Sequence, residues 1–280
     1  MKIKLFSIVA ILSGAGALAE PSLERGEYLV EGPAACGNCH TPMGPDGFNM
    51  EMNLAGRLVE KTPVFTAIAP NITQGGRVSG WTDEEFARAI REGIAPGGSR
   101  VIGPPMPIAL YRGLSDDDVM SIVMYIRSLP SVENDPGESV YEIPLPPAYG
   151  PPLDSVAHPE EGVTVAYGEY LAGPVAHCIE CHSPMGPMGP DWMNQLGAGG
   201  FEFHGPWGTS ISSNLTPHPE DGVAEWTDEE LVQMITSGVR PDGSPMMPPM
   251  GYGYYSRMTS DDLNALVLYL RQLPPLPDPM

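Results

Sequence analysis

Cys36-Gly37-Asn38-Cys39-His40 and Cys178-Ile179-Glu180-Cys181-His182 hold all 4 cysteines of the chain in two frames of one pattern. Cys-x-x-Cys-His is the spacing at which haem c is attached. Two thiols reach the two vinyl groups of one porphyrin, and the next residue sets its imidazole beneath the iron. A single Cys-x-x-Cys would also serve a thioredoxin-like redox pair or half of a zinc site. Two copies with no further cysteine leave those readings little room. A four-cysteine zinc site would have to draw both pairs together and leave two adjacent histidines without a role, and a disulfide framework would pair the cysteines differently. The expected cofactors are two covalently bound haem c groups, attached at Cys36 and Cys39 and at Cys178 and Cys181, with His40 and His182 as iron ligands.

Outward from these frames the chain repeats itself in one order. Gly26-Glu27-Tyr28-Leu29 matches Gly168-Glu169-Tyr170-Leu171, and Asn71-Ile72-Thr73 matches Asn214-Leu215-Thr216. Trp81-Thr82-Asp83-Glu84-Glu85 returns as Trp226-Thr227-Asp228-Glu229-Glu230, Pro104-Pro105-Met106 as Pro248-Pro249-Met250, and Tyr125-Ile126-Arg127 as Tyr269-Leu270-Arg271. Two domains of one fold are implied, over residues 20–130 and 163–280. Between them residues 131–162 are Pro-rich, as in Ile143-Pro144-Leu145-Pro146-Pro147. That segment is expected to run as an extended, poorly hydrogen-bonded, semi-rigid strap that fixes the domains relative to each other.

Local signals specify helices. Thr82 with Glu85, and Thr227 with Glu230, have the spacing of a capping box, with Trp81 and Phe86, or Trp226 and Leu231, as a hydrophobic staple. The last helix of each half is expected to start at Ser115 or Thr259 and to end before Pro130 or Pro274. Its apolar residues, Val119, Ile122, Val123 and Ile126 or Leu263, Leu266, Val267 and Leu270, recur with the helical period. No strand pattern is convincing, so the expected class is all-α.

An iron held by histidine on one side needs its sixth ligand assigned, because that ligand separates electron transfer from catalysis. Met106 and Met250 occupy equivalent Pro-Pro-Met positions just before the last helix of each half, and flanking prolines reduce the entropy lost in fixing the sulfur. Both are the expected iron ligands, with Met246 and Met247 as competitors at the second site. Met43 and Met185, also a repeat pair, follow the histidines too closely to reach the opposite side of the ring. His158, His177, His204 and His218 have no repeat partners and read as surface or packing residues.

Composition narrows the partners. Among 280 residues, 33 Gly and 33 Pro argue against long helices or a large sheet, while 42% hydrophobic residues suffice for a packed core. A net charge of −21 excludes nucleic acid as a partner. Much of that charge falls in predicted first helical turns, where it complements the helix dipole. It would equally suit docking to a basic face on a partner. Residues 1–19, with Lys2 and Lys4, an apolar run and Ala17-Leu18-Ala19, read as a signal peptide cleaved before Glu20, after which no segment is apolar enough to span a membrane.

On the haem frames, Asn-Ile/Leu-Thr, Trp-Thr-Asp-Glu-Glu, Pro-Pro-Met and the closing Tyr-Ile/Leu-Arg, each half resembles a class I cytochrome c domain. The whole resembles diheme cytochromes that accept electrons from periplasmic dehydrogenases of the alcohol or aldehyde type. The resemblance implies a bacterial periplasmic electron carrier, not itself an enzyme, with a dehydrogenase or other redox donor and a downstream cytochrome or oxidase as acceptor. It also implies that the first helix crosses the last, setting Gly26 and Val30 against Ile122 and Tyr125, and Gly168 and Ala172 against Leu266 and Tyr269. Trp81, Trp226, Phe65 and Trp207 would wall the haems, although Trp81 and Trp226 could serve only as staples. The alternative is a diheme redox enzyme, peroxidase-like or thiosulfate-oxidising, with one catalytic haem. It would need a displaceable ligand or a cysteine ligand, whereas both halves carry Pro-Pro-Met and no fifth cysteine exists.

Overall fold

A computed structural model describes residues 20–98, 101–187, 189–205 and 207–279, so the expected signal peptide lies outside the described residues. In the first half the α-helices are α1 (Leu23–Glu31), α2 (Cys36–His40), α3 (Asp83–Glu92), α4 (Ile108–Tyr111) and α5 (Asp116–Ser128). The second half answers with α6 (Val165–Tyr170), α7 (Cys178–Cys181), α8 (Asp228–Ser237), α9 (Tyr252–Tyr255) and α10 (Ser260–Leu270). Full capping boxes start α3 and α8 at Thr82 and Thr227, and Gly93 and Gly238 close these helices in the left-handed conformation. Ser115 and Thr259 cap α5 and α10 by accepting from the Asp118 and Asp262 amides. The apolar face of α5 buries Val119, Ile122, Val123 and Ile126, and that of α10 buries Leu263, Leu266, Val267 and Leu270. At about 1.5–3 kcal/mol for each fully buried side chain, these faces anchor the two cores.

The helices α1 and α5 cross at Gly26, where a Cβ would run into the Ser121 carbonyl and the Tyr125 Cβ. Gly168 makes the same crossing of α6 with α10, against the Ala265 carbonyl and the Tyr269 Cβ. Only glycine permits backbones to approach so closely. The two halves then grip each other reciprocally. Tyr28 of α1 donates to Asp262 of α10 at 2.5 Å, and Tyr170 of α6 donates to Asp118 of α5 at 2.6 Å.

The expectation of an all-α chain is wrong. Strands β1 (Met43–Gly44) and β2 (Gly47–Phe48) form one small antiparallel sheet; β3 (Arg57–Lys61), β4 (Phe65–Ala69) and β5 (Val140–Tyr141) form a second. In the second half β6 (Met185–Gly186) pairs with β7 (Gly189–Pro190), and β8 (Glu202–Gly205) with β9 (Gly208–Ile211). These strands are too short for a two-residue alternation to stand out, and the β3/β4 register shifts between Leu58 and Glu60, which breaks the pattern where it is longest.

The segment between the halves runs mostly without regular structure, as expected, yet it is tied to the first half by hydrogen bonds at several points. It supplies β5 to the edge of the first-half hairpin, the Val156 carbonyl accepts from the Asp116 amide at 2.9 Å, and Ser155 donates to the Asp116 carboxylate at 2.8 Å. Proline limits donors but leaves carbonyls free to accept. Among the described residues no helix is long and apolar enough to cross a membrane.

Candidate functional site

Each Cys-x-x-Cys-His frame is a short helix preceded by a residue in the left-handed region, Ala35 at φ 47° and His177 at φ 42°. All four cysteines are half-buried. Burial pushes the Cys36 and Cys178 thiols up to about 12 and raises Cys39 and Cys181 as well. A thioredoxin-like pair needs the opposite shift, toward thiolate. Among the described residues no three His, Cys, Asp or Glu side chains converge as a zinc site requires.

The two histidines share one geometry. His40 Nδ1 lies 2.9 Å from the Pro70 carbonyl, and His182 Nδ1 lies 2.7 Å from the Ser213 carbonyl. A carbonyl only accepts, so Nδ1 carries the hydrogen in both rings and Nε2 is left with its lone pair. Burial holds both imidazoles below the usual histidine range, hence neutral. The next residues explain the Asn-x-Thr repeat. Asn71 accepts from the amide and hydroxyl of Thr73 and donates to the Val132 carbonyl at 2.7 Å; Asn214 does the same with Thr216 and donates to the Leu276 carbonyl at 2.8 Å. The carbonyl that orients each histidine is thus pinned to the chain beyond the last helix.

Met250 and His182 line one cavity with Cys178, and Leu215, Ile235 and Leu266 contribute to its apolar wall. The competitors lie elsewhere: Met246 packs beside Leu231 and Val267, and Met247 is exposed. Repeat counterparts of these wall residues, Ile72, Ile90 and Ile122, belong to one buried cluster that also takes in Tyr167, Tyr170 and Leu171 of the second half; Cys36 and Met106 pack against it, and His40 is buried. Met43 and Met185 are exposed.

No protein-family model matches the chain. A fructose dehydrogenase cytochrome subunit from Gluconobacter japonicus is 30% identical over 91% of this chain and 53% of its own length. The cytochrome c subunit of a quinone alcohol dehydrogenase from Gluconobacter oxydans is 29% identical over 92% of this chain and 56% of its own. A diheme cytochrome c-type protein from Cereibacter sphaeroides is 26% identical over 93% and 88%. The chain is a homologue of cytochrome c subunits of dehydrogenases. It spans about half the length of the two dehydrogenase subunits it matches.

Haem c is therefore the group against which the chain's donor set is judged, and the residues fit it. Two thiols stand at the attachment spacing, an imidazole is fixed with Nε2 free, a thioether lies on the same cavity and the wall is apolar. The packing reading of His177 and the staple reading of Trp81 hold, while the partners of His158, Arg127 and Arg271 escaped the sequence reading. His177 is a packing residue whose ring meets the edge of Tyr111 at 5.9 Å, which joins the second frame to α4 of the first half. His158 lies 3.5 Å from the Asp118 carboxylate instead of on an open surface. Trp81 meets Phe86 edge to face at 6.3 Å, the staple contact. Arg127 and Arg271, flagged only as repeats, tie α5 and α10 to carbonyls before α3 and α8: Arg127 donates to Val78 and Trp81 at 2.8 and 2.6 Å, and Arg271 to Val223 at 2.7 Å and to Trp226.

Proposed function

We propose that this chain is a periplasmic electron-transfer cytochrome of two tandem domains, residues 20–130 and 163–280, each holding one haem c with histidine and methionine axial ligands. Cys36 and Cys39 would hold the first group by thioethers and His40 and Met106 its iron; Cys178, Cys181, His182 and Met250 would do the same for the second. When bound, haem c supplies a one-electron Fe(III)/Fe(II) couple, which methionine ligation sets at high potential. The chain's own residues orient the imidazoles through Pro70 and Ser213, stiffen the methionine loops with prolines and keep water away with apolar walls. The observation that carries this reading is the cavity shared by Cys178, His182 and Met250, with the His182 imidazole locked through Nδ1 so that Nε2 is free. The names of the relatives support a dehydrogenase as donor; a downstream cytochrome or oxidase would be the acceptor, and the net charge of −21 would suit a basic face on one partner.

Haem quantification and optical spectra of the exported protein test this reading. Two haems per chain with a far-red sulfur-to-iron band of full intensity are expected, and replacing Cys178 and Cys181 together with alanine should leave one haem. Two haems without that band would remove Met106 and Met250 and restore the diheme enzyme reading.

A further inference from the structure

Near the methionine loops the repeat is broken in an informative way. In the second half, Ser210 of β9 donates to the Pro248 carbonyl at 2.6 Å, two residues before Met250. Counting back from Asn71 and Asn214 sets Ala67 of β4 opposite Ser210, so the first half has no hydroxyl at that place. Its equivalent carbonyl, Pro104, nevertheless has a donor. Tyr141 of β5, on the segment between the halves, donates to it at 2.7 Å.

Other features show that the strap is fitted to this loop. Tyr141 pairs with Phe65 across the sheet, with the rings stacked at 5.9 Å, so its reach is fixed by backbone and ring together. Tyr149 donates to the Ile102 carbonyl at 2.8 Å, farther along the same loop. A Cβ on Gly103 would come within 2.6 Å of the Tyr141 ring, whereas the repeat position in the second half is the exposed Met247. The first loop is pressed and bonded from outside its own half, and the second is held from within its own hairpin.

We propose that Tyr141 is a positioning residue for the first sixth ligand, supplying to the Met106 loop the hydrogen bond that Ser210 supplies to the Met250 loop. The proposal rests on Met106 and Met250 as iron ligands. A thioether is a weak ligand and competes with small nitrogen bases, so fixing its loop governs how easily it is displaced. Placing that donor on the strap makes the first site depend on the connection between halves, while the second site is self-sufficient.

Imidazole titration of the oxidised, haem-loaded protein, followed by bleaching of the far-red band, tests the proposal. Tyr141→Phe keeps the ring and the strand pairing and removes the hydroxyl that donates to Pro104. Half of the band should then bleach at about fivefold lower imidazole than in wild type, the effect of losing one hydrogen bond, with the other half unmoved. Ser210→Ala should shift the other half alone. Met106→Ala should leave half of the band, and adding Tyr141→Phe to it should not change how that half titrates. A Tyr141→Phe protein that titrates like wild type, or in which both halves shift together, overturns the proposal. Full band intensity in Met106→Ala overturns the ligand reading itself, so the two failures are told apart.

Discussion

The two halves agree on the histidine side of the candidate haem sites and differ at the methionine loops and where they touch each other. The histidine bonded to a carbonyl, the Asn-x-Thr clamp beside it and the arginine tie recur almost atom for atom. Asp118 and Asp262 hold the same helical position and each receives a tyrosine from the other half, yet their surroundings diverge. Asp118 is 1% exposed, takes Arg25 through Nε at 2.7 Å and Nη2 at 3.0 Å, and faces His158. Asp262 has Tyr28 and its cap. A side chain that must keep one site geometry is held within narrow limits in both copies, whereas a shared face needs only to fit once, and the strap, present on one side, makes it unequal.

Unequal surroundings should produce unequal losses. Asp118→Ala takes from the largely covered Arg25 guanidinium its closest partner, leaving Glu161 at 3.7 Å, and should cost about 3 kcal/mol of unfolding free energy, the low end for removing one member of a buried ion pair. Asp262→Ala removes a tyrosine bond and should cost about 1–2 kcal/mol. Denaturant unfolding of both variants measures the difference, and equal losses would mean that Arg25 and His158 add nothing to this face.

What the sequence disclosed was local chemistry. Caps at Thr82, Thr227, Ser115 and Thr259 depend on residues within one turn, and the haem frames on residues within one pentapeptide, so pattern alone found them. The sequence also pointed to Met250 over its neighbours, and Met250 lines a cavity with His182 and Cys178. The hairpins were missed because β3, β4, β8 and β9 are only four or five residues long. Contacts made through carbonyls were hidden for another reason: Pro70, Ser213, Pro104 and Pro248 accept with backbone atoms, which any residue possesses. The tyrosines were visible as repeats at 28 and 170, but their exchange between halves is a long-range fact that neither copy encodes alone.

The capping boxes are the control for this comparison, since both are complete and both lie away from the shared face. Thr82→Ala and Thr227→Ala should each lower stability by about 1 kcal/mol, and equally. A loss confined to one would show that the halves unfold separately, with different stabilities.

The smallest effect expected is the pH response of the strap. His158 Nδ1 donates to the Pro159 carbonyl at 2.7 Å, so its Nε2 is the face that titrates against Asp118, with Glu161 at 3.8 Å and Arg25 at 3.5 Å, beside the rings of Tyr167 and Tyr170. Bonding to Asp118 raises the imidazole above its ordinary value, while burial and Arg25 oppose that shift. A raised pKa stabilises the fold fully below the unfolded value of about 6.5 and ceases to do so as pH climbs through the folded one. Asp118 works in the other direction. Its depressed carboxyl contributes above the unfolded value of about 3.9 and is lost as acid protonates it. Between those limits the cluster is at its strongest. The stability gap between wild type and His158→Gln should therefore be widest near pH 5, at about 1 kcal/mol or less, and should close as pH rises past the folded value. Thermal melts across that range measure the gap. A gap constant with pH would mean that His158 serves by packing alone, and the strap's grip on Asp118 would then be no more charge-dependent than the Tyr28 contact with Asp262.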